Sequence, residues 1–358
     1  MKIRFQSGER GIALMMVLIV IVVFASLAGL FAYSMKVETK LARNASFDSE
    51  FEWVGRSGIE LARWVLANDG LGPYGQIDSK MSKWAGGPGD TNGPLAGLDL
   101  SHYEVGPGVI ALKIVDQDSK FNINVADDVI LRQALTMIGV DAAEIPTIAD
   151  SILDWRDFDE NRHPNGAESD EYKSKDPPYF AKDAAFDDLS ELLLVNGVTP
   201  AMYFGSGGGG NYRPQILNRQ SARASHFDEP SYPIGMVELF TPLSGRAVNI
   251  NTCTATVLQV IPEIDGALAG AIIQARAGLD GTEGTEDDTP YRSPAEVARA
   301  VPGLPPNVLG YFTRYFSVRS LVFEATVTAT LAGQTRTYIA MLRRNSPRDV
   351  QVLNMYWK

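Results

Sequence analysis

The sequence is poor in the residues on which disulfide-bonded, zinc-dependent and nucleic-acid-binding proteins rely. Its one cysteine, Cys253, has no partner in the chain, and its apolar surroundings predict a small buried residue rather than a nucleophile. The three histidines, His102, His163 and His226, lack metal-ligand spacing, which argues against a zinc enzyme or a histidine-dependent hydrolase. A formal net charge of −11 opposes binding to phosphate backbones, so no nucleic acid partner is expected.

Charge is also absent from a long apolar run near the N-terminus. Ile12 to Met35 contains 24 residues without a charge, long enough to cross a bilayer as a helix. Lys2, Arg4 and Arg10 precede it, which predicts a cytoplasmic N-terminus and a body on the far side of the membrane. The run exceeds the apolar core of a cleavable signal peptide, although Ser26–Ala28 offers a weak cleavage site. A membrane helix is therefore expected.

This helix is predicted to continue well beyond the membrane. No proline occurs from Lys36 to Ala67, and apolar residues recur there at helical spacing, namely Phe47, Phe51, Val54, Leu61 and Val65. Charged residues occupy the other faces, so the second half needs a partner surface, most simply a sheet of the same chain. The sequence Asn68-Asp69-Gly70 is expected to end the helix.

Two hairpins flank a predominantly helical middle of about 200 residues. The first hairpin is predicted for "HYEV" and "VIALKIVD" around Gly106-Pro107-Gly108, and the second for "YFSVRSLVFEATVTATLAG" and "QTRTYIAMLRR". The tail "VQVLNMYWK" suits either an edge strand or a contact segment. These patterns predict an α+β fold, in which a long N-terminal helix packs on a small antiparallel sheet that a large helical insertion interrupts.

The insertion contains an internal repeat. Asn122-Ile123-Asn124 returns as Asn249-Ile250-Asn251, and each unit closes on a helix ending at Gly197 or Gly303. The asparagines follow strand ends and precede helices, where capping and turn bonding explain them without a ligand. A glycine-rich and polar stretch between Ser206 and Pro233 separates the two units.

Each unit also carries an acidic loop that suits a calcium ion, which takes six to eight oxygen ligands. The preferred set is in the second loop and consists of Asp280, Glu283, Glu286, Asp287 and Asp288. The second choice is in the first loop and consists of Asp157, Asp159, Glu168 and Asp170. Neither loop follows the EF-hand pattern, and a solvated acidic loop is the simpler alternative. Asp154, Trp155 and Arg156 are expected to fix the first loop internally, with Arg156 paired to a carboxylate.

A paired-carboxylate glycosidase is the enzymatic alternative for the same acidic residues. Such an enzyme needs two carboxylates facing each other across an aromatic cleft. Here the carboxylates lie in loops interspersed with glycine and lysine, so a catalytic role is disfavoured.

The order Arg10-Gly11-Ile12 at the start of the apolar run resembles the leader of type IV pilins and pseudopilins. The resemblance implies that a prepilin peptidase cuts after Gly11 on the cytoplasmic side and methylates the new N-terminus at Ile12. It also implies that the helix stays in the membrane until the subunit enters a filament.

The fifth residue of the expected mature chain departs from the common pilin pattern. Pilins and most pseudopilins carry glutamate there, whereas this chain has Met16. An unpaired carboxylate at membrane depth costs about 2.5–3.5 kcal/mol, so a subunit with no neighbour above it gains nothing from one. This departure, with "KFNIN", "ILDWRDFDENRHPNGAESDEY", "VNINT" and the proline-containing second closing helix, resembles the K-type minor pseudopilins of type II secretion systems.

That resemblance implies the organisation and role of the chain. The implied divisions are a leader (1–11), a transmembrane helix (12–35), a pseudopilin helix and sheet (36–118 and 314–358), a first helical repeat (119–205), a linker (206–245) and a second repeat (246–313). The repeats resemble helix-hairpin-helix or SAM-like units, and calcium binding is a property of this part of the family. The implied role is non-enzymatic, at the tip of the pseudopilus that exports folded proteins across the outer membrane.

The implied partners are the I- and J-type minor pseudopilins, the major pseudopilin, the prepilin peptidase and the inner-membrane assembly platform. The location implied is the inner membrane, with a single span and a periplasmic body.

Three alternatives share some of these features. A minor pilin of another type IV filament has the leader and the long helix but does not predict the duplicated insertion. A membrane-anchored helix-hairpin-helix protein for DNA uptake predicts a basic hairpin, whereas the second unit has Glu263 and Asp265 there. A secreted calcium-dependent enzyme requires cleavage near Ala28.

Overall fold

A computed structural model describes residues 10–71, 75–206 and 232–358. One helix, α1 (Arg10–Asp69), runs unbroken from the apolar segment into the body, as the sequence predicts. At 1.5 Å per residue its 60 residues extend about 90 Å. Its N-terminal part is fully exposed and apolar enough to cross a membrane by length and composition, whereas its C-terminal part packs on a sheet.

The sheet has five antiparallel strands in the order β1-β2-β7-β8-β9. The strands are β1 (Tyr103–Val105), β2 (Gly108–Asp116), β7 (Val322–Leu331), β8 (Gln334–Ser346) and β9 (Asp349–Trp357). Both predicted hairpins are present, and β2 pairs with β7 to join them across the insertion. The C-terminal tail, which the sequence predicted as either an edge strand or a contact segment, forms the edge strand β9.

Helix α1 lies close against this sheet because two glycines face it. A Cβ atom at Gly55 would lie 2.5 Å from the ring of Tyr338, and one at Gly58 would lie 2.4 Å from Val327. On the same face of α1, Phe51, Val54 and apolar residues of the following turns are buried with the inward residues of the strands. The amphipathic pattern read from the sequence therefore has its partner surface in the same chain.

The insertion consists of short helices and two small parallel strand pairs. Its helices are α2 (Asp128–Ile138), α3 (Ile145–Arg156), α4 (Ser169–Lys173), α5 (Pro200–Phe204), α6 (Met236–Leu239), α7 (Ala255–Leu258), α8 (Gly266–Arg276), α9 (Val297–Ala300) and α10 (Val308–Tyr315). Strand β3 (Phe121–Asn122) pairs with β4 (Phe240–Thr241), and β5 (Val248–Asn249) pairs with β6 (Phe316–Ser317). The buried side chains of the insertion form a hydrophobic cluster distinct from that under α1.

The two units of the predicted repeat form equivalent hydrogen bonds. The side chain of Asn124 exchanges two hydrogen bonds with the backbone of Phe186, and that of Asn251 does the same with Tyr291. Arg156 donates to the carbonyls of Ile123 and Ala126, while Arg276 donates to those of Ile250 and Cys253. Each unit thus ties its entry turn to its second helix through one guanidinium group.

This arrangement corrects the expected role of Arg156. Its guanidinium group bonds to backbone carbonyls instead of pairing with a carboxylate, because the turn after β3 leaves two carbonyls facing it. The asparagines do bond to turns and backbone, and Cys253 is fully buried, as expected.

The segment expected to link the two units lies only partly within the described residues. Residues 207–231 lie outside them, so that part of the linker stays a prediction. Residues 236–241 of the expected linker form α6 and β4, and Met236, Leu239 and Phe240 are buried in the core of the insertion. These apolar side chains place the end of that stretch in the first unit, through the β3–β4 pair.

Candidate functional site

Three acidic or imidazole side chains meet where the first acidic loop leaves α3. One carboxylate oxygen each from Asp154 and Asp157 and one ring nitrogen of His163 all lie within 4.8 Å of one another. Asp154 is fully buried in the last turn of α3, and the loop returns over it so that the backbone and ring of His163 both contact its Oδ1. A Cβ atom at Gly166 would lie 1.8 Å from Asp154 Oδ2, so glycine is required where the loop passes.

Several carboxylate oxygens around this cluster have no hydrogen-bond partner although they are buried. They are Asp154 Oδ2, Asp157 Oδ1, both oxygens of Glu168, and Asp183 Oδ1. Glu168 is only 7% exposed, which makes an unpartnered carboxylate there costly. Buried carboxylate oxygens without donors could serve as ligands of a cation.

Within this cluster, the pKa values of Glu168, Asp157 and His163 are all raised. Burial, followed by the nearby charges of Asp154 and Asp157, raises the pKa of Glu168 to about 7. Burial and the charge of Asp159 raise the pKa of Asp157, while the hydrogen bond to Asp154 raises the pKa of His163. A bound cation would offset this concentration of negative charge.

The donor set fits a hard cation. Four carboxylates supply the oxygen ligands that Ca²⁺ prefers, and the loop is long enough to add backbone carbonyls. Two of the four, Asp157 and Glu168, belong to the set expected from the sequence. The other two members of that set are arranged differently: Asp159 is near enough for its charge to act on Asp157 but accepts a hydrogen bond from the amide of Asn161, and Asp170 is fully exposed beside Lys173.

The second acidic loop, which the sequence favoured, is arranged differently. Glu283 forms ion pairs of 2.7 Å with both Lys80 and Arg276. Asp287 accepts from the amides of Leu279 and Asp280, and Asp288 accepts from the amide of Gly284.

The other two members of the preferred set, Asp280 and Glu286, are both exposed. Asp280 also accepts from the amide of Thr282. The protein's own donors thus occupy most of these oxygens. The geometry therefore favours the set that the sequence placed second.

Sequence reasoning gave Asp154 a role in fixing the loop and not in the expected ligand set, and it missed His163 and Asp183. Asp154 and Asp157 are three residues apart at the end of a helix, a spacing that puts both carboxylates on one side of the turn. The return of the loop to His163, by contrast, has no local signal.

A second group of buried charges joins the sheet to the insertion. Asp116, at the end of β2, accepts from the hydroxyls of Thr252 and Ser320. Arg344 pairs with Asp78, whose backbone carbonyl accepts from Asn249. These carboxylates all have donors, so the cluster is a structural joint and not a cation site.

The expected processing site lies in the first turns of α1. Gly11 and Ile12 are helical, and the side chains of Ile12 and Met16 are about 60% exposed on the apolar segment. Their roles in cleavage and at the filament tip stay predictions.

Comparison with known proteins finds similarity to one component of type II secretion systems. A family model for "Type II secretion system (T2SS), protein K" matches residues 110–204. Type II secretion system protein K of Pseudomonas aeruginosa is 24% identical over 367 residues, covering 97% of this chain and 92% of the relative. Protein K of Klebsiella pneumoniae is 25% identical over 208 residues, covering 54% of this chain and 60% of that protein.

A solved structure agrees in fold. The match is to a chain of the GspK–GspI–GspJ complex from enterotoxigenic Escherichia coli, with a TM-score of 0.61 and 17% identity. It covers 88% of this chain and 99% of the matched chain, and it has the same α+β architecture. The family model, the full-length relative and the expectations from the leader and the "KFNIN" and "VNINT" segments agree: the chain is similar to protein K of type II secretion systems over most of its length.

Proposed function

We propose that the chain is a non-enzymatic minor pseudopilin at the tip of the type II secretion pseudopilus, where it starts or caps assembly with I- and J-type subunits. The observation that carries this proposal is the match over almost the whole length of a chain that was solved in a GspK–GspI–GspJ complex. The long exposed helix supports it, because an apolar stretch of this length needs a bilayer or other helices around it.

The processing and topology follow from the N-terminus. The prepilin peptidase cuts after Gly11 and methylates Ile12, the helix spans the inner membrane once, and the body lies in the periplasm. Lys2, Arg4 and Arg10 before the span support this orientation. The assembly platform and the major pseudopilin then take up the mature subunit.

Two features support a position at the tip. Met16 replaces the glutamate that pairs with a neighbouring subunit, so this chain does not need a subunit above it. The insertion, with its own hydrophobic core and two units that we interpret as helix-hairpin-helix or SAM-like repeats, forms a bulky crown on the sheet. A crown of this size obstructs the stacking of a further subunit.

We further propose that the crown binds calcium at the first acidic loop, through Asp154, Asp157, Glu168 and Asp183. The unpartnered buried oxygens support this assignment. The ion holds the loop over the end of α3 by supplying the positive charge that these carboxylates lack. In the second loop Lys80 and Arg276 supply that charge, so one ion per chain is expected.

Deletion of this chain in its own organism, followed by a secretion assay, tests the function. Exported proteins should accumulate in the periplasm, and the full-length chain supplied in trans should restore export. The same chain with Gly11→Val should fail, because the precursor is not cut. Normal export in the deletion strain would overturn the proposal, and loss of surface pili instead would favour a minor pilin of another type IV filament.

A further inference from the structure

The second unit of the insertion has an open cleft with an arginine on each side. The cleft lies between the turn that precedes α9, residues 292–295, and the segment 316–319, which contains β6. Arg292 belongs to the turn and Arg319 follows β6, and both are exposed. The volume of about 520 Å³ lies within the range of about 300–1,000 Å³ that is typical of ligand sites.

Neither arginine side chain is neutralised by the protein itself. Within the described residues, no carboxylate or carbonyl accepts a hydrogen bond from the guanidinium group of Arg292 or Arg319. Their backbones, by contrast, are held in place. The amide of Arg292 donates to Glu296 at 2.7 Å, and the amide of Arg319 donates to Ser317 Oγ at 3.3 Å. The cleft therefore presents two unpaired cations on a fixed backbone.

The first unit of the insertion has the same turn without the first of these arginines. The amide of Asp187 donates to Glu191, four residues later, just as the amide of Arg292 donates to Glu296. Asp187 is therefore the counterpart of Arg292. Its carboxylate is paired with Lys182 at 2.7 Å, so the charge at this position is neutralised within the first unit.

The second arginine also has an uncharged counterpart in the first unit. The amide of Leu243 donates to Thr241 Oγ1, just as the amide of Arg319 donates to Ser317 Oγ. Thr241 and Ser317 occupy the same position, because they end the equivalent strands β4 and β6. The same backbone thus forms with aspartate and leucine at the two positions, and the fold does not require arginine at either.

The chemistry of the cleft selects for carboxylates. A guanidinium group binds a carboxylate through two parallel hydrogen bonds, and paired arginines are a common means of recognising acidic motifs. The hydroxyl of Ser293, which also lines the cleft, does not cap the helical turn that follows it and can bond to a ligand. Among the described strands β6 pairs with β5 alone, so an extended chain has space along its other side.

The charge of the whole chain favours a short acidic segment over a long polyanion. A nucleic acid would meet the repulsion of a chain with a net charge of −11 along much of its length. An acidic segment of a few residues contacts the cleft alone, and charges farther away than about 8 Å are largely screened at physiological ionic strength.

We infer that this cleft binds an extended acidic segment of a partner protein, with Arg292 and Arg319 each holding one carboxylate. The inference goes beyond the proposed function, because the cleft belongs to the folded second unit and not to the membrane helix. The Ser293 hydroxyl bonds to the backbone of the segment between its two carboxylates.

A fluorescein-labelled peptide of alternating aspartate and serine tests the inference, with the full-length chain in a non-ionic detergent and fluorescence anisotropy as the readout. The peptide should bind and weaken as salt is added, whereas the same peptide with asparagine for aspartate should not bind. Arg292→Gln and Arg319→Gln should each weaken binding at least tenfold. Arg348→Gln is the matched control, because Arg348 is exposed in the turn between β8 and β9 and its loss removes the same charge.

The double variant Arg292→Asp/Arg319→Leu separates a lost site from a lost fold, because it carries the residues that the first unit has at these positions. It should melt at the wild-type temperature and should not bind the aspartate peptide.

Four outcomes would overturn the inference. They are a wild-type chain that does not bind the peptide, a double variant that binds it normally, inorganic phosphate that binds as tightly as the peptide, and anionic lipid vesicles that bind the wild type but not the double variant. The last two would assign the cleft to a small anion or to a membrane. All four leave the proposed function standing, since the secretion assay tests that function separately.

Discussion

At the residue scale, the capacity of a carboxylate to bind a cation depends on the hydrogen-bond donors around it and not on its place in an acidic run. Glu168 and Glu283 both lie in acidic loops of similar composition. Glu283 is held between Lys80 and Arg276, whereas both oxygens of Glu168 are buried without a donor. That difference moves the candidate cation site from the second loop to the first.

Glu168→Gln tests this assignment. Wild-type protein should gain several degrees in melting temperature with calcium at 100 times its Kd, which corresponds to about 2.7 kcal/mol of stabilisation. The variant should lose this gain but match or exceed wild type when calcium is chelated, because it no longer buries an unpaired charge. The control Asp170→Asn should respond like wild type, since Asp170 is fully exposed. An unchanged calcium response in Glu168→Gln would contradict the site.

Asp116 makes the stability of the joint between sheet and insertion depend on pH. Burial and the charge of Asp118 raise the pKa of Asp116 to about 7, above the ordinary value of 3.8. The folded chain then holds a proton that the unfolded chain has released, so this group contributes stability at low pH that is lost as pH rises through 7. Asp78, paired with Arg344, is the next carboxylate facing it.

Asp116→Asn should flatten the part of the melting profile that falls between the ordinary pKa of 3.8 and the raised pKa of about 7. Asparagine keeps the shape and carries no charge, and the hydroxyls of Thr252 and Ser320 accept as readily as they donate. Asp99→Asn is the control, because its carboxylate lies on the surface and the pKa of that group is lowered by Ser101. Parallel profiles for wild type and Asp116→Asn would rule out this role.

At the element scale, the two units of the insertion use the same device. One arginine ties the turn after a short strand to the end of a helix, in α3 with its 12 residues and again in α8 with its 11 residues. Arg276→Lys should lower the free energy of unfolding by about 2–4 kcal/mol, because one ammonium group cannot reach both carbonyls and Glu283. Denaturant titration measures the loss. Arg299→Lys, on the exposed side of α9, should change little.

The close contact between α1 and the sheet depends on glycine at position 58, where a larger side chain would not fit. Gly58→Ala should destabilise the chain by about 1–3 kcal/mol, because the new Cβ would overlap Val327. Gly310→Ala in α10 meets no atom within 4 Å and should instead stabilise slightly, through better helix propensity. Equal melting temperatures for the two variants would show that the helix does not lie this close.

These elements also show which features of the fold could be predicted from the sequence and which could not. The period of Phe47 to Val65 and the alternation in "VFEATVTATLAG" are local, so α1 and both hairpins could be predicted. One of the two partners of Glu283 is Lys80, 203 residues away, and no local pattern in the sequence predicts such a pair. For the same reason sequence reasoning expected a carboxylate partner for Arg156, which instead donates to two backbone carbonyls. Its order of preference between the two acidic loops as calcium sites stays a prediction.

At the scale of the whole molecule, the chain combines two cores with different tasks. One core fixes α1 to the sheet, and the other builds the insertion around its duplicated units. A membrane helix at one end and a bulky crown beyond the sheet suit a subunit that enters a filament from the membrane and ends it. Met16 and the crown support the same position independently.

The most direct measurement is the intact mass and N-terminal fragment spectrum of the full-length chain produced together with a prepilin peptidase. A mature chain beginning at N-methylated Ile12 is expected, since Gly11 precedes the apolar helix as in pseudopilin leaders. It would mean that α1 is both cut and kept as the filament helix. A chain that still begins at Met1, or one that begins after Ala28, would contradict the pseudopilin function, however well the fold matches.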